Sequence, residues 1–207
     1  MDRVTVELLL PSATSSSTFT FSQVVVCAGP WTGKLLPSLA KLLTVQAIPV
    51  TYWKDTTKDA TYSVAKNFPV IFNSRLADIY SVPSYEYPGL VKVLSHLGPV
   101  ADPDARDQPS TDDIVTYVSG YVKKHLPGLE HGHGNPAILE KCLYTCTADC
   151  QPILDTISPG LVVGCGFSGS GFKHSPASGK MLAMLALGRR GEVPENFQLE
   201  RCRLDRF

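Results

Sequence analysis

The sequence predicts a mixed α/β (α+β) fold, and three observations carry that prediction. Short β-type runs separated by turn residues occupy about 45–100, the pattern of an antiparallel sheet. A strand, a glycine-containing turn and a helix follow one another over about 19–43 and again over about 161–188. Residues 110–126 carry helical periodicity.

Residues 4–10 (VTVELLL) alternate and then run apolar, and 19–28 (FTFSQVVVCA) do the same after a Ser/Thr loop, so two strands joined by a polar turn are expected. Gly29-Pro30 breaks the second strand, and TGKLLPSLAKLL starts a short helix with Thr32 as its cap. The β-type runs that follow are VQAIPVTYW, ATYSVA, PVIFN, DIYSVPS and GLVKVLSHLG. In STDDIVTYVSGYVKKHL (110–126) apolar residues stand at 114, 115, 118, 121, 122 and 126, behind a Ser110/Thr111 cap and acidic residues at 112 and 113. Pro127-Gly128 stops that helix. A strand over 139–145, a strand at 161–165 (LVVGC), a glycine-rich turn and a helix over about 174–188 complete the regular elements, and the ending is polar and irregular.

Composition narrows the classes of function. With 207 residues, 43% hydrophobic and 18% charged, the chain supplies one substantial core or two small ones and is neither a disordered tail nor a coiled coil. Lys+Arg and Asp+Glu both count 19, so no nucleic-acid or anionic-membrane partner is expected. No apolar stretch approaches the ~20 residues that span a bilayer and no signal-peptide pattern opens the chain, which predicts a soluble, unsecreted protein.

Cysteines stand at 27, 142, 146, 150, 165 and 202, and are expected reduced. The spacing of Cys142, Cys146 and Cys150 invites a metal reading, but zinc sites pair two CxxC motifs, so scattered thiols and no metal are expected. His131 and His133 in HGHG read as a solvated loop. Gly164, Gly166 and Gly169 satisfy G-x-G-x-x-G between a strand and a helix, yet no second apolar strand ending in an acidic residue follows. What remains is a run of backbone N–H groups and a helix N-terminus beside Lys173, which favours an anion; the other reading is a close helix-to-strand crossing that needs small residues.

Four segments, VVVCAGPWT (24–32), EYPGLVKVLSHLGPVADPDARD (86–107), KCLYT (141–145) and GFSGSGFK (166–173), occur in this order and rough spacing in flavin-dependent amine oxidases of the sarcosine oxidase type. The chain resembles that family, its eukaryotic peroxisomal branch above all, from about 20 to 190. The resemblance implies the C-terminal part of a two-domain FAD/NAD(P)-binding flavoprotein oxidase with an antiparallel or mixed-sheet substrate domain. On that plan 1–44 closes a first FAD-domain segment, 45–138 is the substrate domain, 139–190 returns to the FAD domain, and 191–207 is an irregular tail.

Site residues follow from the same resemblance. Cys142 matches the cysteine that bonds through sulfur to a flavin ring methyl, making the implied cofactor a covalent FAD. Lys92 resembles the lysine that lies over the flavin and promotes its reoxidation by dioxygen, and His96 a polar orienting histidine near substrate. Lys173 resembles the partner of the substrate carboxylate, Tyr80 a pocket-lining tyrosine, and Gly166, Phe167, Ser168, Gly169, Gly171 and Lys173 the loop along the cofactor.

The chain departs from the family pattern in three places. Ser170 replaces a histidine; TCTADCQPILDTISPG keeps Thr147 and Asp155 but lacks the family's Glu and His-Pro; and the family's own G-x-G-x-x-G and carboxylate-clamping arginine lie upstream of these residues. Two functions are therefore expected. One is a monomeric oxidase of small secondary amino acids (sarcosine, L-pipecolate or L-proline) that yields an imine and hydrogen peroxide from dioxygen. The other is a truncated isoform or fragment, inactive for want of the βαβ unit. Leu204-Asp205-Arg206-Phe207 is not an S-K-L address, so the peroxisome is implied by the resemblance alone and the cytoplasm is the alternative.

Overall fold

The computed structural model describes residues 3–8, 16–75, 79–108, 112–129, 135–194 and 202–207. The chain divides into two units, residues 1–44 with 145–207 and residues 45–144. The expected Ser110/Thr111 cap and the His131/His133 loop lie outside the described residues.

The first unit opens with an antiparallel ribbon of β1 (Val4–Leu8) and β2 (Ser17–Phe21), registered from Val4↔Phe21 to Leu8↔Ser17. The expected single strand over 19–28 is corrected. It breaks at Ser22-Gln23, and β3 (Val24–Val26) joins a different sheet, with Val24 N–H donating to Gly160 O at 2.8 Å. The run 19–28 serves two ladders, and one continuous strand cannot follow both. Thr32 is also corrected: it lies inside the one-turn helix α1 (Thr32–Leu35), fully buried, and does not cap it. Pro37 ends that helix by forcing Leu36 out of helical geometry (φ −125°, ψ 81°), and the chain continues as a 3-10 segment over Pro37–Leu42.

The second unit is built on a five-stranded sheet. Its strands are β4 (Thr44–Lys54), β5 (Ile71–Asn73), β6 (Ile79–Pro83), β7 (Leu90–Ser95) and β8 (Ile138–Cys146), in the order β5-β6-β7-β4-β8. The β5–β6, β6–β7 and β4–β7 pairs are antiparallel, as the sequence predicts. ATYSVA (60–65) is not a strand. The Asp55 carboxylate gathers it into turns, accepting from Thr57 N–H and Tyr62 N–H at 2.9 Å each, so the backbone donors of this stretch turn inward.

The helix α2 (Asp112–His125) covers one sheet face and ends before Pro127. Val118 and Val122 pack there with Trp53, Ile79, Val91 and Val93, all at 0–1% exposure. The opposite face carries Ile48, Val50, Tyr52 and Leu94, with Tyr80, Tyr87, Leu90, Ile138 and Tyr144 packed against them.

Back in the first unit, β9 (Ile153–Ser158) and β10 (Leu161–Cys165) complete a three-stranded sheet in the order β3-β10-β9. β10 runs parallel to β3 and antiparallel to β9. β9 is absent from the sequence reading because ILDTIS is short and interrupted by Asp155 and Thr156. The helix α3 (Gly171–Ala186) begins three residues ahead of the expected start and holds Pro176 in its interior. Ser175 Oγ donates to the Phe172 carbonyl at 2.9 Å, occupying the acceptor that the missing Pro176 N–H leaves.

Met181, Leu182 and Leu185 of α3 bury against Leu154, Val162 and Cys202. A Cβ on Gly164 would lie 2.6 Å from Leu182 Cδ1, so the close-crossing reading of that glycine holds. The C-terminal residues are tied to β9. Asp155, 8% exposed, accepts from Leu204 N–H at 2.9 Å and from Arg190 Nη2, while Arg206 Nε donates to Asp149 at 2.7 Å.

Two outcomes follow from these ties. Asp155→Asn removes the charge that Arg190 and Leu204 N–H share, and because Arg190 is 39% exposed the cost is about 2 kcal/mol rather than the larger value of a fully buried pair, read by urea unfolding. Arg206 holds the Asp149 carboxyl down to about 2. A depressed folded pKa stabilises above the unfolded value near 3.8 and is lost as pH falls toward 2, so wild type loses more stability over that window than Arg206→Gln, measured by unfolding at stepped pH.

Candidate functional site

Strand alternation decides which side chains meet on the sheet face opposite α2. Val91 and Val93 of β7 point into the α2 core, so Lys92, Leu94 and the following His96 take the other face. On β8 the same period places Glu140, Cys142 and Tyr144 together, and Ile138 and Tyr144 pack with Leu94 and Tyr52.

His96 sits in an aromatic setting. Its ring lies 4.7 Å from Tyr80, 5.8 Å from Tyr144 and 6.0 Å from Phe72, centroid to centroid, and Nδ1 is 3.0 Å from the Tyr144 hydroxyl. Burial raises the Tyr80 phenol above its ordinary value, a hydrogen bond with Tyr144 opposes the shift, and nearby Cys142 adds to it. Tyr80, His96, Tyr144 and Cys142 therefore form one neighbourhood.

Cys142 is exposed and lines a cavity of about 570 Å³ with Arg106, Asp107, Gln108, Leu139, Glu140 and Lys141. Cys146 shares its strand and Cys150 follows in a turn at φ 58°. Among the described residues no group of three or more His, Cys, Asp or Glu is placed to hold a metal ion.

Lys92 stands over the Tyr52 ring, its Nζ 5.5 Å from the centroid. The Tyr52 hydroxyl donates to Glu140 Oε2 at 3.4 Å, and the Tyr87 hydroxyl to Glu140 Oε1 at 2.6 Å. Sequence reasoning missed Tyr52, Tyr87, Glu140 and Tyr144 as site neighbours. For Tyr144 the signal was present, two residues after Cys142 and so on the same strand face.

Gly166, Phe167, Ser168, Gly169, Gly171 and Lys173 belong to the other unit. The loop takes left-handed backbone at Gly166 (φ 68°), Ser168 (φ 50°) and Gly169 (φ 83°), which glycine adopts freely and Ser168 only with strain. Gly166 is fixed twice, since a Cβ there would also lie 2.6 Å from Thr147 Cγ2. The loop is tied to the end of β8, where Ser168 N–H donates to Thr145 O at 2.9 Å and Cys146 bridges Phe167.

The expected run of N–H groups is narrowed, because Ser168 N–H and Ser170 N–H go to the Thr145 and Phe167 carbonyls, both at 2.9 Å. The donors that remain there are the first-turn N–H groups of α3 and exposed Lys173.

Comparison with known proteins gives this geometry a setting. Over 207 aligned residues the chain is 39% identical to peroxisomal sarcosine oxidase of Mus musculus, covering 94% of this chain and 50% of that protein. It is 38% identical to the Homo sapiens protein of the same name, over 97% and 52% of the two chains. The chain thus spans about half the length of these curated relatives. Among solved structures, a thermally stable mutant of fructosyl peptide oxidase shares the fold, with a TM-score of 0.68 at 21% identity over 92% of this chain and 47% of that one. Residues 2–185 match the family described as FAD dependent oxidoreductase, and the chain belongs to that family.

Proposed function

We propose that this chain takes part in the FAD-dependent oxidation of small secondary amino acids, sarcosine foremost, with L-pipecolate or L-proline as further substrates. The observation that carries the reading is the single sheet face holding exposed Cys142 with Tyr80, His96, Tyr144 and Lys92. The names of the two mammalian relatives support sarcosine and a peroxisomal setting. Residues 45–138 serve as the substrate domain, 1–44 and 139–190 as FAD-domain segments, and the working form is a monomer.

The residues present fit the ring end of the cofactor. An exposed thiol stands beside an aromatic surface, and the fixed cation of Lys92 shares that surface. Cys142 would hold FAD through a thioether, and Gly166, Phe167, Ser168, Gly169, Gly171 and Lys173 would line it. Bound FAD supplies acceptance of a hydride equivalent from the amine C–N bond and delivery of electrons to dioxygen, giving an imine and hydrogen peroxide overall.

The protein's own groups do the rest. Lys173 pairs with the substrate carboxylate, an exposed ammonium beside helix N–H donors. His96, its Nδ1 3.0 Å from the Tyr144 hydroxyl, serves as a polar orienting group for substrate. The Lys92 ammonium stabilises negative charge as it develops on dioxygen. The rings of Tyr80 and Tyr144 exclude water from the apolar part of the substrate.

Two measurements test the reading. After acid precipitation the wild-type polypeptide retains flavin fluorescence and Cys142→Ser loses it; a wild type without protein-bound flavin defeats the assignment. In flavin-loaded protein Lys92→Met slows reoxidation by dioxygen on the order of a hundredfold and leaves reduction by substrate within a few-fold. Stopped-flow separation of the two half-reactions reads this, and equal effects on both reject the role of Lys92.

A further inference from the structure

We propose that Glu140 is a positioning residue for Lys92, acting through Tyr52 and Tyr87 to present one aromatic face to the lysine ammonium. The inference rests on the reading of Lys92 given above for its functional meaning, and on geometry alone for the positioning itself.

The Glu140 carboxylate accepts one phenol on each oxygen, Tyr87 at 2.6 Å and Tyr52 at 3.4 Å. The two rings meet edge to face, 4.8 Å between centroids and 84° between planes. One carboxylate and one ring contact thus hold both tyrosines in place. Lys92 Nζ lies 5.5 Å from the centroid of that ring. A phenol that donates to a carboxylate is richer in electrons, so its ring attracts a cation more strongly.

The two phenols stay protonated donors. Burial first, then the Glu140 charge, pushes the Tyr52 hydroxyl well above its ordinary range, and Glu140 raises Tyr87. Lys92 also feels Glu86, whose carboxylate accepts from Ser84 Oγ at 3.0 Å. Glu86 is exposed and screened, and its pull carries no orientation, whereas a ring face fixes where the ammonium sits. Among the described residues, Tyr80, His96, Cys142 and Tyr144 also belong to this sheet face, and alternation along β4 adds exposed Lys54 at its end.

The test uses the full chain with ¹³C-labelled lysine, the Lys92 signal being assigned by its absence in Lys92→Met. In wild type the Lys92 ε-methylene protons are displaced upfield by the Tyr52 ring current. Glu140→Gln, which keeps the size of the side chain and removes its charge, abolishes that displacement while the Trp53 indole signal in the core stays in place. Tyr52→Phe, which keeps the ring and removes only the hydroxyl link, does the same and serves if Glu140→Gln fails to fold. Glu86→Gln leaves the displacement intact.

An unmoved Lys92 signal in Glu140→Gln or in Tyr52→Phe overturns the proposal, as does its loss in Glu86→Gln. If Glu140→Gln releases Lys92 while Lys92→Met leaves flavin reoxidation unchanged, the positioning stands and the oxygen role of Lys92 falls.

Discussion

The register of β7 against β4 is the constraint on which the second unit depends. Thr51 pairs with Val93, Thr51 Oγ1 donates to the Val93 carbonyl, and Trp53 Nε1 donates to Thr51 Oγ1 at 2.8 Å. All three residues are fully buried, so this small polar set cannot trade its bonds for water. It fixes Val91 and Val93 beneath α2, and by alternation it sends Lys92 and His96 to the aromatic face. A slip of one residue would exchange the two sets, placing a lysine in the core and two valines at the site.

In the first unit the corresponding constraint is the end of β8. Thr145 O accepts Ser168 N–H, Cys146 bridges Phe167, and Thr147 N–H donates to Ser168 Oγ at 3.3 Å. These bonds hold Ser168 at φ 50°, a backbone geometry unusual for a side-chain-bearing residue. The strand that displays Cys142 and Tyr144 thus runs directly into the segment that supports the glycine loop.

Local chemistry in the sequence made part of this legible. The helix over 110–126 was readable because its period, acidic first turn and proline stop agree, and the antiparallel sheet because turn residues separate its β-type runs. ATYSVA misleads because β propensity says nothing of Asp55, which collects its backbone donors from outside the segment. Thr32 looks like a cap until Pro37 shortens the helix to one turn and buries it. The bonds joining Glu140 to Tyr52 and Tyr87 span 88 and 53 residues, and no local pattern records a contact at that range. For Lys92, His96 and Cys142 the sequence offered identities and alternation, while their shared face needed the strand order β7-β4-β8.

The burial of Cys165 and Cys202 bears on oxidative durability. Both thiols lie under packed side chains, and desolvation drives Cys165 up to about 12 and Cys202 in the same direction. Peroxide attacks thiolate rather than thiol, so these sulfurs are guarded by their chemistry as well as by access. Cys27, Cys142 and Cys150, the exposed three, take the encounter with any oxidant in the surroundings.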